Sequence, residues 1–286
     1  GEEGEGAKAD GKINKFIRHE VLLPAFPLCV AWTPAALRAD NPAAKNFAAV
    51  GSFLPQIDVF DLDETDELEP IAVLGGFDPS AEAAPAARRT SSKKKKKKAR
   101  APKRPAMPPL RAESHTAAVM SLAFSPFRPE LLASGSADAS ARVWDVSTST
   151  SLAALRHHRD KVQSVAWSPS SPHTLLSAAF DKTLAVWDTR APNPPPPITI
   201  ALPAEPEHAL FLPHHSAPSA NAQSILTTDE DGTLALYDLR ATALAPLWAL
   251  QAHDSPAAGC AAAPAPAAAG LVATGGAEGV VKLWDV

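Results

Sequence analysis

The sequence predicts an all-β protein built from a repeated unit of four short strands. An aromatic residue followed by aspartate and then by leucine, valine or threonine recurs five times in the 286-residue chain, at Phe60-Asp61, Trp144-Asp145, Trp187-Asp188, Tyr237-Asp238 and Trp284-Asp285. The spacings are 84, 43, 50 and 47 residues, and the first becomes one period when the basic stretch between Gly76 and Ser114 is set aside. A period of ~40 to 45 residues is typical of a four-stranded propeller blade. The 29 prolines disfavour long helices, so we expect a β-propeller.

The repeat divides the chain into seven segments. Residues 1–20 are a flexible leader or the remnant of a preceding blade, 21–75 a degenerate blade, 76–112 a basic disordered insert, 113–156 and 157–200 two regular blades, 201–251 a divergent blade, and 252–286 a partial blade. Blades bury their faces by stacking on one another. We therefore expect about five blades of a larger ring, in a chain that is a fragment with missing ends.

The two regular blades show a strand pattern that can be followed residue by residue. Strand a is predicted over residues 119–124 and 162–167, strand b over 131–135 and 175–179, and strand c over 141–145 and 184–188. An outer strand d completes each four-stranded blade.

Four residue types recur at fixed offsets inside these two blades. The sets are His115, Ser134, Asp138 and Trp144, followed by His158, Ser177, Asp181 and Trp187. Asp231 and Thr227 stand at the same offsets before Tyr237, as do Glu278 and Thr274 before Trp284. This register, with the string LLASGSAD ending at Asp138, resembles WD40 repeats.

The resemblance implies a structural role for the two sets. In WD40 blades the equivalent residues form a partly buried hydrogen-bond relay, from the turn aspartate through histidine and a hydroxyl to the indole N–H. The same residue types also make the triad of a hydrolase, but a triad occurs once per active site, and no Gly-x-Ser-x-Gly elbow accompanies these residues. We therefore predict no catalytic residues.

The remaining units depart from the relay pattern. The first has Leu23, Val50, Leu54 and Phe60 at relay positions, the fourth has Leu202 in place of histidine, and the fifth has Glu278 in place of aspartate with Ala257 and Ala262 on strand a. We expect these blades to rest on packing alone or on a partial relay, and the alanine-rich fifth to be the loosest.

A narrower resemblance lies in the first unit. The strings LLPAFPLC from Leu22 and VGSFLPQIDVFDLD from Val50, with a lysine run placed between the first two units, resemble the periodic tryptophan protein 1 family. Members of that family are nuclear and nucleolar scaffolds associated with ribosome biogenesis, pre-rRNA processing and chromatin at ribosomal genes. The resemblance also implies a seven-bladed ring, with pre-ribosomal assembly factors as partners.

Positive charge is concentrated in one segment. Between Arg88 and Arg111 there are twelve lysines or arginines and no acidic residue, although the net charge of the chain is -4. The central members are Arg88, Arg89, Lys93, Lys94, Lys95, Lys96, Lys97, Lys98, Arg100, Lys103 and Arg104. Three interpretations stay open: a solvated linker, a nuclear or nucleolar localisation signal, and sequence-independent contact with RNA or DNA phosphates.

Two other functions have support in the sequence. The motif Trp187-Asp188-Thr189-Arg190 resembles the Trp-Asp-x-Arg box of substrate receptors in cullin-type ubiquitin ligases, with Trp187, Asp188 and Arg190 as its adaptor-contacting residues. The acidic body could instead bind a basic histone tail, as a chromatin reader would.

Other classes of site find no support. Cys29 and Cys260 are too few for a disulfide framework or a four-ligand zinc site, and the pairs His157-His158 and His214-His215 lack ligands at metal spacing. No phosphate loop is present and no apolar run is long enough to span a membrane. We expect no cofactor, metal or small-molecule substrate, and an interaction scaffold instead of an enzyme.

Overall fold

A computed structural model describes residues 20–33, 46–64, 69–78, 80, 108–191, 197–212, 224–241, 245–263 and 270–286. The strands of these residues form five antiparallel sheets, each with its strands in chain order. Within the described part of the chain, no helix has the length and apolarity needed to cross a membrane.

The strand bounds are as follows. The first sheet contains β1 (Pro27–Trp32), β2 (Phe47–Ser52), β3 (Gln56–Asp61) and β4 (Ala72–Gly75), and the second β5 (Val119–Phe124), β6 (Leu131–Ser136), β7 (Ser140–Asp145) and β8 (Thr150–Arg156). The third contains β9 (Val162–Trp167), β10 (Thr174–Ala179), β11 (Thr183–Asp188) and β12 (Ile198–Ala201). The fourth contains β13 (Pro206–Phe211), β14 (Ser224–Asp229), β15 (Thr233–Asp238) and β16 (Pro246–Gln251), and the fifth β17 (Gly259–Ala262), β18 (Leu271–Gly275) and β19 (Val281–Asp285).

These sheets are the blades of a β-propeller, which confirms the fold class expected from the repeat. The first strands of successive sheets, β1, β5, β9, β13 and β17, lie side by side in chain order. An apolar core lies between each pair of neighbouring sheets. An inner strand is therefore covered on both faces, and all six residues of β6, for example, are buried. Burial of apolar surface between blades therefore holds the array together.

Polar side chains also join neighbouring blades at their first strands. Ser121 Oγ accepts the N–H of Val165 in the next blade at 3.1 Å, and Ser164 Oγ accepts the N–H of Ala209 in the blade after that at 3.2 Å. The Cys29 thiol occupies the corresponding position in the first blade and lies 3.5 Å from the Val119 carbonyl. Directional bonds at this repeated position fix how each blade sits on the next.

The turns between the second and third strands share a left-handed backbone residue. Ala139, Lys182, Gly232 and Gly279 have φ values of 63°, 62°, 81° and 82°. Each follows directly after one of the aspartate or glutamate positions of the repeat, so the turn geometry recurs even where its side chains differ.

The first and fifth blades carry exposed apolar side chains on the faces directed away from the array. On the fifth these are Val281 and Leu283, 71% and 68% exposed, and on the first Trp32 and Val30, 66% and 58% exposed. In the inner blades the corresponding faces are covered by a neighbour.

The basic insert predicted over residues 76–112 begins and ends in described residues. Phe77 and Leu110 form an isolated antiparallel bridge, the Asp78 N–H donates to the Pro109 carbonyl and the Arg111 N–H to the Gly76 carbonyl. The two flanks are therefore paired at the end of the first blade where the turn between β2 and β3 lies. Residues 81–107 lie outside the described residues.

Candidate functional site

The second blade brings together all four polar residues of its set. Trp144 Nε1 donates to Ser134 Oγ at 2.8 Å, Ser134 Oγ lies 2.7 Å from His115 Nε2, and His115 Nδ1 lies 3.0 Å from Asp138 Oδ2. Ser134 is on β6, Trp144 on β7, and Asp138 in the turn between them. The Thr116 N–H and the Ser140 hydroxyl also donate to the Asp138 carboxylate.

The order of donors and acceptors assigns the tautomer of His115. The indole N–H can only donate, so Ser134 Oγ accepts from it and has its own proton free to donate to His115 Nε2. His115 Nδ1 then carries the proton and donates to Asp138. A neutral imidazole therefore satisfies every polar atom, whereas a protonated one would leave the Ser134 hydroxyl proton without an acceptor.

Electrostatics favour the same protonation states. Burial of the fully enclosed imidazole lowers the pKa of His115. Burial acts to raise the pKa of Asp138, but hydrogen bonds from His115, Ser140 and the Thr116 N–H outweigh it and hold that pKa well below its usual range. The pair is neutral histidine and charged aspartate at neutral pH.

The third blade repeats the arrangement with small differences. Trp187 Nε1 donates to Ser177 Oγ at 2.9 Å, and Ser177 Oγ lies 2.8 Å from His158 Nε2. His158 Nδ1 is 3.3 Å from both Asp181 oxygens and 3.0 Å from Thr183 Oγ1. Burial again lowers the pKa of the histidine.

The fifth blade contains a complete set, so the expectation of packing alone or a partial relay is wrong there. Trp284 Nε1 donates to Thr274 Oγ1 at 2.8 Å, Thr274 Oγ1 lies 2.8 Å from His253 Nε2, and His253 Nδ1 lies 2.5 Å from Glu278 Oε1. The longer glutamate reaches the imidazole from the same turn. Its pKa is lowered to about 2, first by the Ser255 hydroxyl and also by His253. The signal was present in the sequence, because Thr274 and Glu278 keep the offsets of the regular blades.

The fourth blade does not form the relay. Leu202 stands in the histidine position, as the register indicated, and Asp231 is exposed and hydrogen-bonded through its N–H to Asp229. Asp231 therefore keeps the sequence offset of the relay aspartates without taking their structural role. The buried carboxylate of this blade is Asp229, two residues earlier. The first blade packs against the second through apolar residues of β2 and β3, Ala49, Ile57 and Val59, and not through Val50 or Phe60.

The relay of the second blade is accompanied by a buried cation that was not predicted from the sequence. Arg142, 4% exposed, lies with its guanidinium 5.9 Å from the centre of the Trp144 ring and donates to Ser151 Oγ at 3.3 Å. Its signal was a charged residue at an inward position of β7. In the fifth blade Lys282 holds the same register and donates to the Ala252 carbonyl.

These geometries leave the serines without the chemistry of a nucleophile. Ser134 and Ser177 are fully buried, their oxygens accept from an indole, and their protons go to the imidazoles. A nucleophilic serine needs an open face toward a substrate. What the sets do physically is pair buried polar groups with one another, so that each can be enclosed without loss of hydrogen bonds.

The motif from Trp187 to Arg190 is divided between core and surface. Trp187 is buried in the third blade, while Asp188 is the last residue of β11 and Arg190 lies in the turn that follows. Arg190 Nε donates to both Asp188 oxygens at 2.9 Å. Asp238 and Arg240 repeat this pair after β15. Both arginine side chains face solvent, 71% and 49% exposed.

The described residues show no site formed by the basic segment or by the histidine pairs singled out in the sequence. The basic residues from Arg88 to Arg104 lie outside the described residues, as do His214 and His215. The described residues contain no group of three histidine, cysteine or acidic side chains able to hold a metal ion. His157 packs its ring against Trp187 and lies 3.1 Å from Thr199 Oγ1. Burial raises the pKa of the Cys29 and Cys260 thiols to about 12.

Comparison with known families places WD40 repeats in the middle of the chain. The family described as "WD domain, G-beta repeat" matches residues 108–145 and 149–188. The second match starts with β8 and ends with β11, so one sequence repeat supplies the outer strand of one blade and three strands of the next.

Curated relatives match about half of the chain. An uncharacterized WD repeat-containing protein of Schizosaccharomyces pombe is 33% identical over 135 residues, which are 47% of this chain and 22% of the relative. Periodic tryptophan protein 1 of Saccharomyces cerevisiae is 30% identical over 159 residues, 53% of this chain and 26% of the relative. The Drosophila melanogaster homolog of that protein is 29% identical over 131 residues, 46% of this chain and 22% of the relative. The chain thus spans about a quarter of the length of these relatives.

A solved structure shares the fold. A chain from the crystal structure of a mitotic checkpoint complex superposes with a TM-score of 0.63 at 17% sequence identity, covering 90% of this chain and 61% of that one.

Proposed function

We propose that this propeller with WD40 repeats is a non-catalytic scaffold that mediates protein–protein interactions in the nucleus and nucleolus, in ribosome biogenesis. The observation that carries the proposal is that the histidine, hydroxyl and carboxylate side chains of the relays are engaged with one another. In three blades their polar atoms bond to one another inside the blade, which leaves rims and turns as the surfaces for partners. Propellers present such surfaces from a rigid frame.

The assignment to ribosome assembly rests on the partial match with periodic tryptophan protein 1 and on the basic segment. That match covers 53% of the chain at 30% identity. Pre-rRNA processing and chromatin at ribosomal genes are the processes that the family resemblance implies. Lysines in the segment from Arg88 to Arg111 would serve as a localisation signal or bind phosphates of RNA or DNA, with strong dependence on salt.

Sedimentation of the complete protein in a gradient of nuclear extract tests this proposal. Co-migration with pre-ribosomal particles, lost on treatment with ribonuclease or high salt, is the expected result. A protein found in the free pool alone, at low salt and without nuclease, would contradict it.

A second candidate, substrate receptor of a cullin-type ubiquitin ligase, is favoured by the paired turns. Asp188 holds Arg190 in an exposed position, and Asp238 does the same for Arg240. Arg190→Ala should abolish binding to the ligase adaptor, whereas Arg159→Ala, at an exposed position near the opposite end of the third blade, should not. Unchanged adaptor binding in Arg190→Ala would remove this candidate.

A chromatin reader is the third candidate, favoured by acidic side chains near the second-to-third-strand turn of the fourth blade. Glu205, Glu230 and Asp231 lie together there, with Lys182 of the third blade 3.9 Å from Glu230. A basic histone-tail peptide should compete with nucleosomes for this surface. No effect of the peptide on nucleosome binding would count against the reader.

A further inference from the structure

The fourth blade keeps the backbone of the relay but differs from the second blade at several of its side-chain positions. Leu202 occupies the position of His115, and Pro203 follows it where Thr116 donates its N–H to Asp138. Proline has no N–H to donate. Ala235 pairs with Thr227 as Arg142 pairs with Ser134, so a methyl group stands where the second blade has a guanidinium, as the methyl group of Ala185 does in the third blade.

Leu202, Pro203 and Ala235 border a cavity. Its volume is about 40 Å³, its polar lining comes from Thr227, Thr228, Thr233, Asp229 and Tyr237, and Leu202 and Ala235 are among its apolar residues. A cavity of about 10–15 Å³ is large enough for one water molecule, provided that two to four polar groups face it. The space therefore suits one to three water molecules and is too small for an organic ligand.

Within the part of the chain that the structure describes, the Thr227 hydroxyl lacks the two partners that its equivalents have. Ser134, Ser177 and Thr274 each lie within 2.9 Å of both an imidazole and an indole nitrogen. Among the described residues, the Thr227 hydroxyl reaches only the Ala235 carbonyl, at 3.5 Å. Such a long contact leaves most of its hydrogen-bonding capacity unused.

Asp229 adds a buried carboxylate to this set. It is 8% exposed. Its Oδ1 accepts the N–H groups of Asp231 and Thr233, and the Thr233 hydroxyl also donates to the carboxylate. Burial raises its pKa, and the nearby charge of Asp231 acts in the same direction. Burial raises the pKa of the Tyr237 phenol, and the charge of Asp229 raises it further. A carboxylate enclosed in this way requires further hydrogen-bond donors.

We propose that this cavity is an internal hydration site, in which bound water donates to Asp229 and bridges it to Thr227 and Tyr237. Water thus takes over, in the fourth blade, the connecting role that the imidazole has in the second, third and fifth. The fourth blade has a hydrated relay in place of a histidine relay. This proposal is independent of the partners and of the cellular role of the protein.

A crystal structure of the complete protein at a resolution that shows ordered water tests the site directly. The expected result is at least one water within hydrogen-bond distance of Asp229 Oδ2 and of Thr227 Oγ1 or Tyr237 Oη. A dry cavity, or side chains that have closed it, would overturn the proposal. A stability that depends on whether sodium or potassium is present, at equal ionic strength, would also overturn it, because the occupant would then be a cation.

Two neighbouring threonines provide a matched pair of variants. Thr227→Val removes the hydroxyl that faces the cavity, and the melting temperature should fall by about 2–4 °C. Thr228 also belongs to the lining of the cavity, but its hydroxyl is directed to the opposite face of β14, near the Cys260 thiol, so Thr228→Val should change the melting temperature by less than half as much. Equal shifts for the two variants would contradict a role for bound water at Thr227.

Discussion

At the scale of single residues, the relay allows polar side chains to be buried in the core of a blade. His115 and Ser134 are both fully buried, and each has its partners within 3.0 Å. Enclosing them without partners would cost more than the packing they provide. Because each atom donates or accepts in one direction, the network tolerates few substitutions.

Ser134→Ala tests that dependence. The change leaves the His115 ring nitrogen and the Trp144 indole N–H buried without partners, and should lower the free energy of unfolding by about 2–4 kcal/mol. Chemical denaturation monitored by tryptophan fluorescence measures it. Ser147→Ala, at an exposed serine on the same blade, is the control and should change stability by less than about 0.5 kcal/mol. Equal effects of the two variants would contradict the relay.

The relay histidines should make stability depend on pH. Because burial lowers the pKa of His115 and His158 below 6.5, the unfolded chain binds more protons than the folded one as the pH falls through that value. Stability is therefore present above pH 6.5 and is lost on acidification, by at most about 1.4 kcal/mol per pH unit for each histidine.

Denaturation curves between pH 7 and pH 5 check this slope. His115→Gln should be less stable at pH 7 and should show a shallower pH dependence than the unaltered protein. An unchanged slope in this variant would mean that His115 does not titrate as a buried neutral imidazole.

At the scale of elements, the turn between the second and third strands of each blade sets the position of the relay carboxylate. Gly232 and Gly279 occupy the left-handed position of that turn in the fourth and fifth blades. They differ in surroundings: a Cβ on Gly232 would lie 2.2 Å from the His253 carbonyl oxygen, whereas a Cβ on Gly279 would meet nothing within 4 Å.

Replacement of each glycine by alanine separates backbone strain from steric conflict. Gly279→Ala adds the cost of a left-handed alanine, about 1 kcal/mol. Gly232→Ala adds the same strain and also a clash with backbone that cannot move aside, so it should cost about 3 kcal/mol or more. Calorimetry on both variants measures the difference, and equal losses would contradict the turn geometry.

Most of the strands of the regular blades could be predicted from the sequence. The bounds 119–124 and 162–167 for strand a are those of β5 and β9, and the other inner strands differ by one residue at one end. Such accuracy comes from the fixed offsets between histidine, hydroxyl, carboxylate and indole. The fifth relay was missed because Glu278 looked like a substitution that breaks the set, although its longer side chain still reaches His253. Asp229 was missed because an inward carboxylate two residues before the turn has no counterpart in the other blades.

At the scale of the whole molecule, each blade depends on its neighbours. Four apolar cores lie between the five sheets, and the outward faces of the first and fifth carry large exposed side chains such as Trp32 and Val281. An array of stacked units is stabilised mainly by its interfaces. Exposed apolar faces of this kind favour association with other surfaces.

Polar substitutions on the fifth blade test this expectation. In the 286-residue chain, Val281→Thr with Leu283→Thr should reduce self-association, since threonine keeps strand propensity but lowers apolar area. Light scattering coupled to size-exclusion chromatography measures the mass. Leu152→Thr, at a half-exposed position of the second blade, serves as control. Equal masses for the double variant and the unaltered chain would contradict a role for the exposed face.

Affinity purification of the complete protein from nuclear extract, with and without nuclease, tests the central claim most directly. Mass spectrometry of the bound material should show pre-ribosomal assembly factors and ribosomal proteins, with the directly bound factors retained after nuclease. Recovery of histones or ligase subunits without any assembly factor would contradict the ribosome scaffold and favour one of the other two functions.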